Sequence, residues 1–387
     1  MIFFDKEEFK MNRYHLFQQL IFIALCQFSN HLKADDISQS LYIFNEETWI
    51  EPFAESGFTW GGNSGVHVES EDRIFFLQRG ETKIPEPTPE SYTNFPASMG
   101  IPEWNVLRGR GRVWQNCIYI SNSQGEIIDI WNQWDYLFQG TNGPGPHRIR
   151  ISPYDVDKKV WVVDETGHII YVFSNDGKEL LLTIGEKNIP GNDRYHLNLP
   201  QDVAFLPNGK YIIADGIGNK RMIIRNEDHS YHSEFGEGGS ESHQYGSVHS
   251  LAFGPDEMLY VVDRINKDMK IYQQIAEVNS LSYPNYKYIE SWSDLGLILD
   301  LIVNDDSLWI TETSPPRLKQ YSFEGNLLQA IELPTSGSNF WIEMHSISVD
   351  KSGNLYATDN QAGRPRKLSP AMNIKPERLI KTPYQVK

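Results

Sequence analysis

A repeated sequence unit, which recurs between residues 147 and 367, is the feature that most constrains how this chain can fold. Each copy contains an anchor residue, an apolar strand, a turn rich in Pro, Asn, Asp and Gly, a second apolar strand and a closing acidic residue. The anchors are His147, Asp202, His249, Asp300 and His345, and the closing residues are Asp164, Asp215, Asp263, Glu312 and Asp359. Successive anchors are 55, 47, 51 and 45 residues apart. This spacing is typical of one β-propeller blade.

An earlier segment extends the repeat to six copies. GVHVESEDRIFFLQRG, which starts at Gly65, fits the same template with Val66 as its anchor. Six units predict an all-β, six-bladed propeller whose four-stranded blades surround a central channel. The predicted blades cover about 57–140, 145–190, 196–240, 245–290, 295–335 and 340–370, and a Pro-rich insertion at 84–112 interrupts the first. A loop of that length is usually either a functional lid or decoration.

Composition narrows the class of protein further. The chain has 29 glycines and 21 prolines for turns, and no long segment with helical periodicity follows residue 34. Its net charge of −16 has the wrong sign for a protein that binds nucleic acid. We therefore expect a monomeric all-β protein with no nucleic-acid partner.

The first 34 residues have the layout of a secretory signal peptide. Arg13 precedes an apolar run over 20–26, and a polar stretch then ends at Ala34. We expect cleavage before Asp35, which would leave 35–387 as a secreted or periplasmic propeller with no stable membrane insertion. The alternative is an uncleaved anchor, and translation could start at Met1 or Met11. Cleavage would leave Cys117 as the one cysteine, so no internal disulfide is expected.

Histidine occupies the anchor position in blades 2, 4 and 6. In a six-fold ring these blades are about 120° apart, so His147, His249 and His345 would converge on one point of the axis. Three neutral imidazoles with an open fourth position are the ligand set of a catalytic zinc site. The alternative is that each histidine merely fills the end of a blade.

Arginine stands one residue beyond the closing position in two blades that face each other across the axis. These residues are Arg79 in blade 1 and Arg264 in blade 4. Guanidinium groups bind carboxylates through two parallel hydrogen bonds, so the pair would suit a ligand that bears a carboxylate. The alternative is that the two arginines neutralise nearby acids such as Asp263.

These motifs together resemble the NHL-repeat six-bladed propellers and, within them, the peptidyl-α-hydroxyglycine α-amidating lyases. The resemblance covers roughly residues 65–368. It is carried by IFFLQRG with Arg79, GPHRI with His147, LPQDVAF followed by ADGIGNKR, VHSLAF with His249, VVDR with Arg264 and MHSISVDKSGNLYATD with His345.

The resemblance implies a function and a set of site residues. Lyases of this family split a C-terminal α-hydroxyglycine into a peptide amide and glyoxylate. By position, the three histidines would hold Zn²⁺, and Arg79 and Arg264 would act as catalytic and substrate-binding residues. The resemblance also implies a Ca²⁺ ion in the channel, held partly by the backbone carbonyls of Val66 and Ile149. The partner would be a peptide or small molecule with a carboxylate.

Two departures from the family pattern bear on this function. The family has a tyrosine where Ile217 follows Asp215 and Gly216, and isoleucine cannot transfer a proton. The family also has an aspartate after its third histidine, whereas this chain has Ser346, which predicts a weaker calcium site or none. A phenol from Tyr195 or Tyr245 could substitute for the tyrosine. Without a substitute, we expect weak or absent lyase activity that Ile217→Tyr increases.

Three hypotheses remain open at the level of sequence. The chain could be an exported zinc lyase, a non-catalytic propeller that keeps the metal and binds a peptide or small acid, or an NHL-type interaction module without metal. Metal content separates the third hypothesis from the others, and turnover separates the first two.

Overall fold

A computed structural model of the chain describes residues 41–44, 49–50, 53–55, 57–84, 112–140, 143–255, 257–275, 286–336 and 340–387. The chain divides into two units, Met1–Leu41 and Tyr42–Lys387. The predicted signal peptide and its cleavage site lie outside the described residues, and so does nearly all of the insertion predicted at 84–112. Within the described residues, no helix is both long and apolar enough to cross a lipid bilayer.

The second unit contains six four-stranded antiparallel sheets, which confirms the predicted all-β, six-bladed propeller. From the inner to the outer strand, the sheets are Asn63–Ser70, Arg73–Gln78, Ile118–Ser121 and Ile127–Ile130 in blade 1; Pro146–Ile151, Val160–Asp164, Ile169–Phe173 and Leu180–Gly185 in blade 2; Asp202–Phe205, Tyr211–Asp215, Arg221–Arg225 and Tyr231–Phe235 in blade 3; Val248–Phe253, Met258–Asp263, Asp268–Gln274 and Tyr286–Trp292 in blade 4; Leu297–Val303, Leu308–Thr313, Arg317–Tyr321 and Leu327–Glu332 in blade 5; and Met344–Val349, Leu355–Asp359, Arg364–Pro370 and Tyr42–Phe44 in blade 6.

The ring of blades is closed by a strand from the other end of the unit. Tyr42–Phe44 pairs antiparallel with Arg364–Pro370 and supplies the outermost strand of blade 6. The repeat did not predict this strand, because three residues carry no recognisable periodicity. Pairing between these two segments, which are far apart in sequence, helps to keep blades 1 and 6 together.

A small additional sheet and two short helices complete the described structure. Phe58–Trp60, Glu81–Lys83 and Arg112–Val113 form a three-stranded sheet at the base of the insertion. The 3-10 helices are Asn132–Leu137 and Pro376–Arg378.

The hydrophobic core lies between neighbouring blades. One cluster joins Phe75 and Ile118 of blade 1 to Ile149 and Val162 of blade 2, and equivalent clusters join blade 2 to 3, 3 to 4 and 4 to 5. Burying one such side chain contributes about 1.5–3 kcal/mol. The second strands, such as Val160–Asp164, are therefore buried on both faces, which accounts for their continuous hydrophobic runs.

In blades 3, 4 and 6 the closing acid holds the segment that leads into the inner strand of its own blade. In blade 4, the carboxylate of Asp263 accepts the N–H groups of Gly246 and Ser247, both at 2.9 Å. In blade 6, Asp359 accepts the N–H of Ile342 at 2.8 Å. These bonds satisfy buried backbone donors. An acidic residue recurs at this position for a structural reason.

Candidate metal centre

A β-bulge at the start of the inner strand directs each candidate metal ligand. In blades 4 and 6 the pairing register shifts across His249 and His345, and it shifts at the same level in blade 2. A bulge adds one residue and re-aims its side chain. The extra residue in each case is the histidine. Its imidazole can therefore point toward the channel, while the residues on either side keep the alternating geometry of the strand.

The bulges also correct the anchor positions predicted from the sequence. In their own blades, Asp202 and Asp300 occupy the same position relative to the second strand as Ser250 in blade 4 and Ser346 in blade 6. That position is one residue beyond the histidines. The residues equivalent to the histidines are Ser64, Gln201 and Leu299, so Val66 was also placed out of register. The template failed because a sequence pattern does not reveal a one-residue bulge.

The structure brings the three histidines together. His147, His249 and His345 are each at most 1% exposed, and their candidate ligand atoms all lie within 4.8 Å of one another. The ring centroids are 4.7 to 5.3 Å apart, and each pair of rings is close to perpendicular. Such a cluster fits one small ion between three imidazoles.

Each imidazole is oriented by a hydrogen bond to the next blade. The Nδ1 atoms of the three rings donate to backbone carbonyl oxygens at 2.8, 2.6 and 2.7 Å, and the acceptors are Gln201, Leu299 and Ser64 respectively. A carbonyl only accepts, so Nδ1 carries the hydrogen and Nε2 keeps its lone pair. Carbonyl partners of this kind fix the tautomer of metal-binding histidines.

The protonation state of the cluster also suits a metal. Burial lowers the pKa of His147 well below its usual value, and the neighbouring His345 and His249 lower it further. The pKa values of His249 and His345 are lowered in the same way, with burial the largest cause. Among the described residues, Nε2 of His249 has no hydrogen-bond partner. Three neutral nitrogen donors fit Zn²⁺ and suit the hard cations Ca²⁺ and Mg²⁺ poorly.

Arg79 and Arg264 are paired with glutamates that the sequence analysis missed. Nη2 of Arg79 lies 3.6 Å from Oε2 of Glu165, and Nη2 of Arg264 donates to Oε1 of Glu343 at 3.2 Å. The predicted alternative partner Asp263 instead binds backbone N–H groups. The arginines are therefore neutralised, but by different acids.

The two arginines and two glutamates form one electrostatic cluster beside the histidines. Burial raises the pKa of Glu165, while Arg79 and Arg264 oppose that increase. Oε2 of Glu165 also lies 4.0 Å from Nε2 of His147. The same oxygen of Glu165 thus lies near both the Arg79 guanidinium and the candidate metal ligand His147.

Sequence position alone could have identified Glu165. It directly follows the closing Asp164 and so occupies in blade 2 the place that Arg79 and Arg264 occupy in blades 1 and 4. The signal at this position is a charged side chain of either sign rather than arginine alone. Glu343, two residues before His345, has no such signal.

The tyrosine substitutes predicted from the sequence do not lie at the metal centre. Tyr245 is fully buried in the core between blades 3 and 4, where its hydroxyl donates to Sδ of Met222 at 3.7 Å. Tyr195 is 68% exposed in a loop. Ile217 follows the closing acid of blade 3, with a half-buried side chain and a backbone N–H that donates to the Leu199 carbonyl at 3.2 Å.

The calcium ion implied by the family resemblance does not fit the structure. Val66 and Ile149 are buried in the inner strands of blades 1 and 2. Ile149, however, stands between Arg148 and Arg150, whose guanidinium groups contact the carboxylates of both Asp202 and Asp300. A divalent cation beside the buried guanidinium of Arg148 and the partly buried one of Arg150 would be strongly repelled.

The fold and the histidine cluster together define the class of protein: a six-bladed β-propeller with a candidate metal centre on its axis. Comparisons with known proteins agree on the fold. A solved putative gluconolactonase superimposes with a TM-score of 0.51, at 12% identity, over 85% of this chain and 94% of that one. No protein-family model matches the chain.

The sequence relatives are more specific. A probable peptidyl-α-hydroxyglycine α-amidating lyase of Caenorhabditis elegans is 26% identical over 156 residues, which cover 40% of this chain and 44% of that protein. Peptidyl-glycine α-amidating monooxygenase A of Xenopus laevis is 24% identical over 237 residues, 58% of this chain and 24% of that protein. The match spans less than half of each relative. The chain is a distant homologue of the α-amidating lyase domain.

Proposed function

We propose that this chain is an exported, zinc-dependent lyase that cleaves the C–N bond of an α-hydroxy substrate bearing a carboxylate, with a peptidyl-α-hydroxyglycine as the first candidate. The observation that carries the proposal is the convergence of three buried, neutral imidazoles next to two arginines. A metal held by His147, His249 and His345 would supply a Lewis acid that polarises a substrate oxygen.

The residues of the chain would bind and orient the substrate. Arg79 and Arg264 carry donors that match a carboxylate, and Nε of Arg79 has no hydrogen-bond partner among the described residues. A bound carboxylate would compete with Glu165 and Glu343 for the arginines. Binding would therefore release a glutamate oxygen at the moment when the substrate is in place.

Glu165 is the group that we assign to proton transfer. In the reaction, the substrate hydroxyl loses its proton, its electrons form the carbonyl of glyoxylate, the C–N bond breaks and the amide nitrogen gains a proton. Oε2 of Glu165 would accept the first proton and return it to the nitrogen, so atoms and charge balance. The positions of Tyr195 and Tyr245 favour this assignment over a phenol, and it replaces the expectation that Ile217 leaves the site without a base.

The alternative function is a propeller that holds the metal and binds a peptide or small acid without turnover. The specific observation in its favour is Ile217, at the position where the family has a tyrosine. Glyoxylate release from a peptidyl-α-hydroxyglycine decides between the two. We expect release that stops when zinc is removed, returns when zinc is restored and falls in Arg264→Ala. A fully zinc-loaded chain that releases none would support the binding function.

We also propose that the chain is exported after cleavage before Asp35. The layout of the apolar run and the small residue Ala34 support the proposal. N-terminal sequencing of protein recovered from outside the cytoplasm should begin at Asp35. Recovery of a product that begins at Met1 or Met11 would show that the leader is retained.

A further inference from the structure

The axial channel is built in successive levels of side chains, and the second level holds a cluster of charges. The first level contains the three histidines. The second level contains, in order around the ring, Gly65, Arg148, Asp202, Ser250, Asp300 and Ser346. Arg148 is fully buried, as are both aspartates. A buried charge needs a partner, so the contacts of this level decide its role.

Arg148 contacts oxygens from three other blades. Its Nη1 lies 3.0 Å from Oδ2 of Asp300 and donates to the His345 carbonyl at 3.3 Å. Its Nη2 donates to the Leu299 carbonyl at 3.2 Å, and its Nε lies 3.7 Å from Oδ2 of Asp202. Two carboxylates and two carbonyls around one positive centre resemble the oxygen shell of a bound cation.

The remaining lone pairs of the two carboxylates are also used. Arg150 donates to both oxygens of Asp202, at 3.0 and 2.9 Å, and to Asp300 at 3.3 Å. The Ser250 hydroxyl lies 2.7 Å from Asp202 and 2.9 Å from Asp300, and the Ser346 hydroxyl lies 3.1 Å from Asp300. The two arginines neutralise the two aspartates, so the carboxylates do not need a metal ion to balance their charge.

The second level is also linked directly to the histidines. The Leu299 carbonyl accepts both Nη2 of Arg148 and, at 2.6 Å, Nδ1 of His249. The His345 carbonyl, the other acceptor, belongs to a second candidate ligand. Arg148 therefore fixes the backbone that holds two of the three imidazoles.

We infer that Arg148 is the resident cation of the propeller axis: its guanidinium occupies the oxygen cluster that a hard divalent cation would otherwise fill, and it positions the histidines for their own metal. The natural chain then needs no calcium. Removal of the guanidinium should create a site for Ca²⁺ between Asp202, Asp300 and the freed carbonyls.

The test uses zinc-loaded protein titrated with CaCl₂, with MgCl₂ as the control ion, and measures both the melting temperature and the zinc affinity. We expect no response of the natural chain to calcium. Arg148→Ala should melt at a lower temperature and bind zinc about 10–100-fold more weakly, as for other residues that orient metal ligands. Calcium at about a hundredfold above its Kd should raise the melting temperature of this variant by about 4 °C and restore part of the zinc affinity.

Two further variants separate a cation site from general loss of stability. Arg148→Lys keeps the charge and should remain insensitive to calcium. Arg221→Ala removes another buried arginine, paired with Asp215 away from the axis, and calcium should not rescue it. Calcium-dependent stabilisation of the natural chain would overturn the inference. So would an Arg148→Ala protein that calcium neither stabilises nor helps to refold. The zinc affinity rests on the metal centre of the proposed function, whereas the response of the melting temperature to calcium depends on neither zinc nor lyase activity.

Discussion

Glu165→Gln is expected to reduce the rate of glyoxylate release by about 10²–10⁴-fold, the usual contribution of a positioned acid or base. Glutamine preserves the shape of the side chain but cannot accept the hydroxyl proton. The natural chain and the variant would be compared in a steady-state assay with a peptidyl-α-hydroxyglycine, after the zinc content of each has been equalised. The loss should appear in kcat, because Arg79 and Arg264 still bind the carboxylate.

Two control variants make this result specific. Glu343→Gln changes the other arginine-bound glutamate, which also accepts a hydrogen bond from Asn360, and should reduce the rate far less. Ile217→Tyr should give no large gain if Glu165 already transfers the proton. If Ile217→Tyr greatly increases the rate and Glu165→Gln leaves it unchanged, Glu165 is not the base. The expectation from the sequence, that Ile217 leaves the site without a base, would then be correct.

Asp300→Asn should lower the free energy of unfolding by about 3–5 kcal/mol, the cost of removing one partner from a buried ion pair. Asp300 contacts both axial arginines, and its carboxylate also accepts the N–H of Ile347 at 3.0 Å. Asparagine cannot neutralise the guanidinium groups of Arg148, which is buried, and Arg150, which is partly buried. Urea unfolding followed by tryptophan fluorescence measures the effect.

The same residue gives a prediction for pH. Burial acts to raise the pKa of Asp300, but Arg148 and Arg150 outweigh it, so the pKa is lowered in the folded chain. Its contribution to stability should be complete above the unfolded-state pKa of about 3.9 and be lost as the pH falls through the folded value.

Asp176→Asn, in an exposed turn with Lys178, should unfold like the natural chain. Equal unfolding midpoints for all three proteins would refute a structural role for the axial cluster.

The fold was predictable because apolar strands recur at regular intervals in the sequence. Blade packing buries both faces of strands such as Val160–Asp164 and Ile169–Phe173, so these strands are hydrophobic runs whose spacing reveals the propeller. The histidines were predictable for the same reason, since alternate blades of a six-fold ring face one point. The closing strand Tyr42–Phe44 was not, because its place depends on a partner more than 300 residues away.

The charged parts of the site were harder to predict because they depend on register and on distance in space. Because of a one-residue bulge, His249 of blade 4 and Asp300 of blade 5 do not occupy equivalent positions in their blades. The alternation of apolar and polar residues in the sequence does not reveal such a bulge. The pairing of Arg264 with Glu343 joins residues 79 positions apart. The axial role of Arg148 likewise comes from contacts with Asp202, Leu299 and His345, none of which is near it in sequence.

Metal analysis of the purified chain tests the central claim most directly. The mature protein, dialysed and then measured by elemental analysis, should contain about one zinc ion per chain, as expected for a site of three histidines. His147→Ala, His249→Ala and His345→Ala should each lose most of that zinc, whereas His243→Ala, at an exposed position, should retain it. Zinc content that is unchanged in all three tripod variants, or absent from the natural chain after reconstitution, would contradict the proposed metal centre.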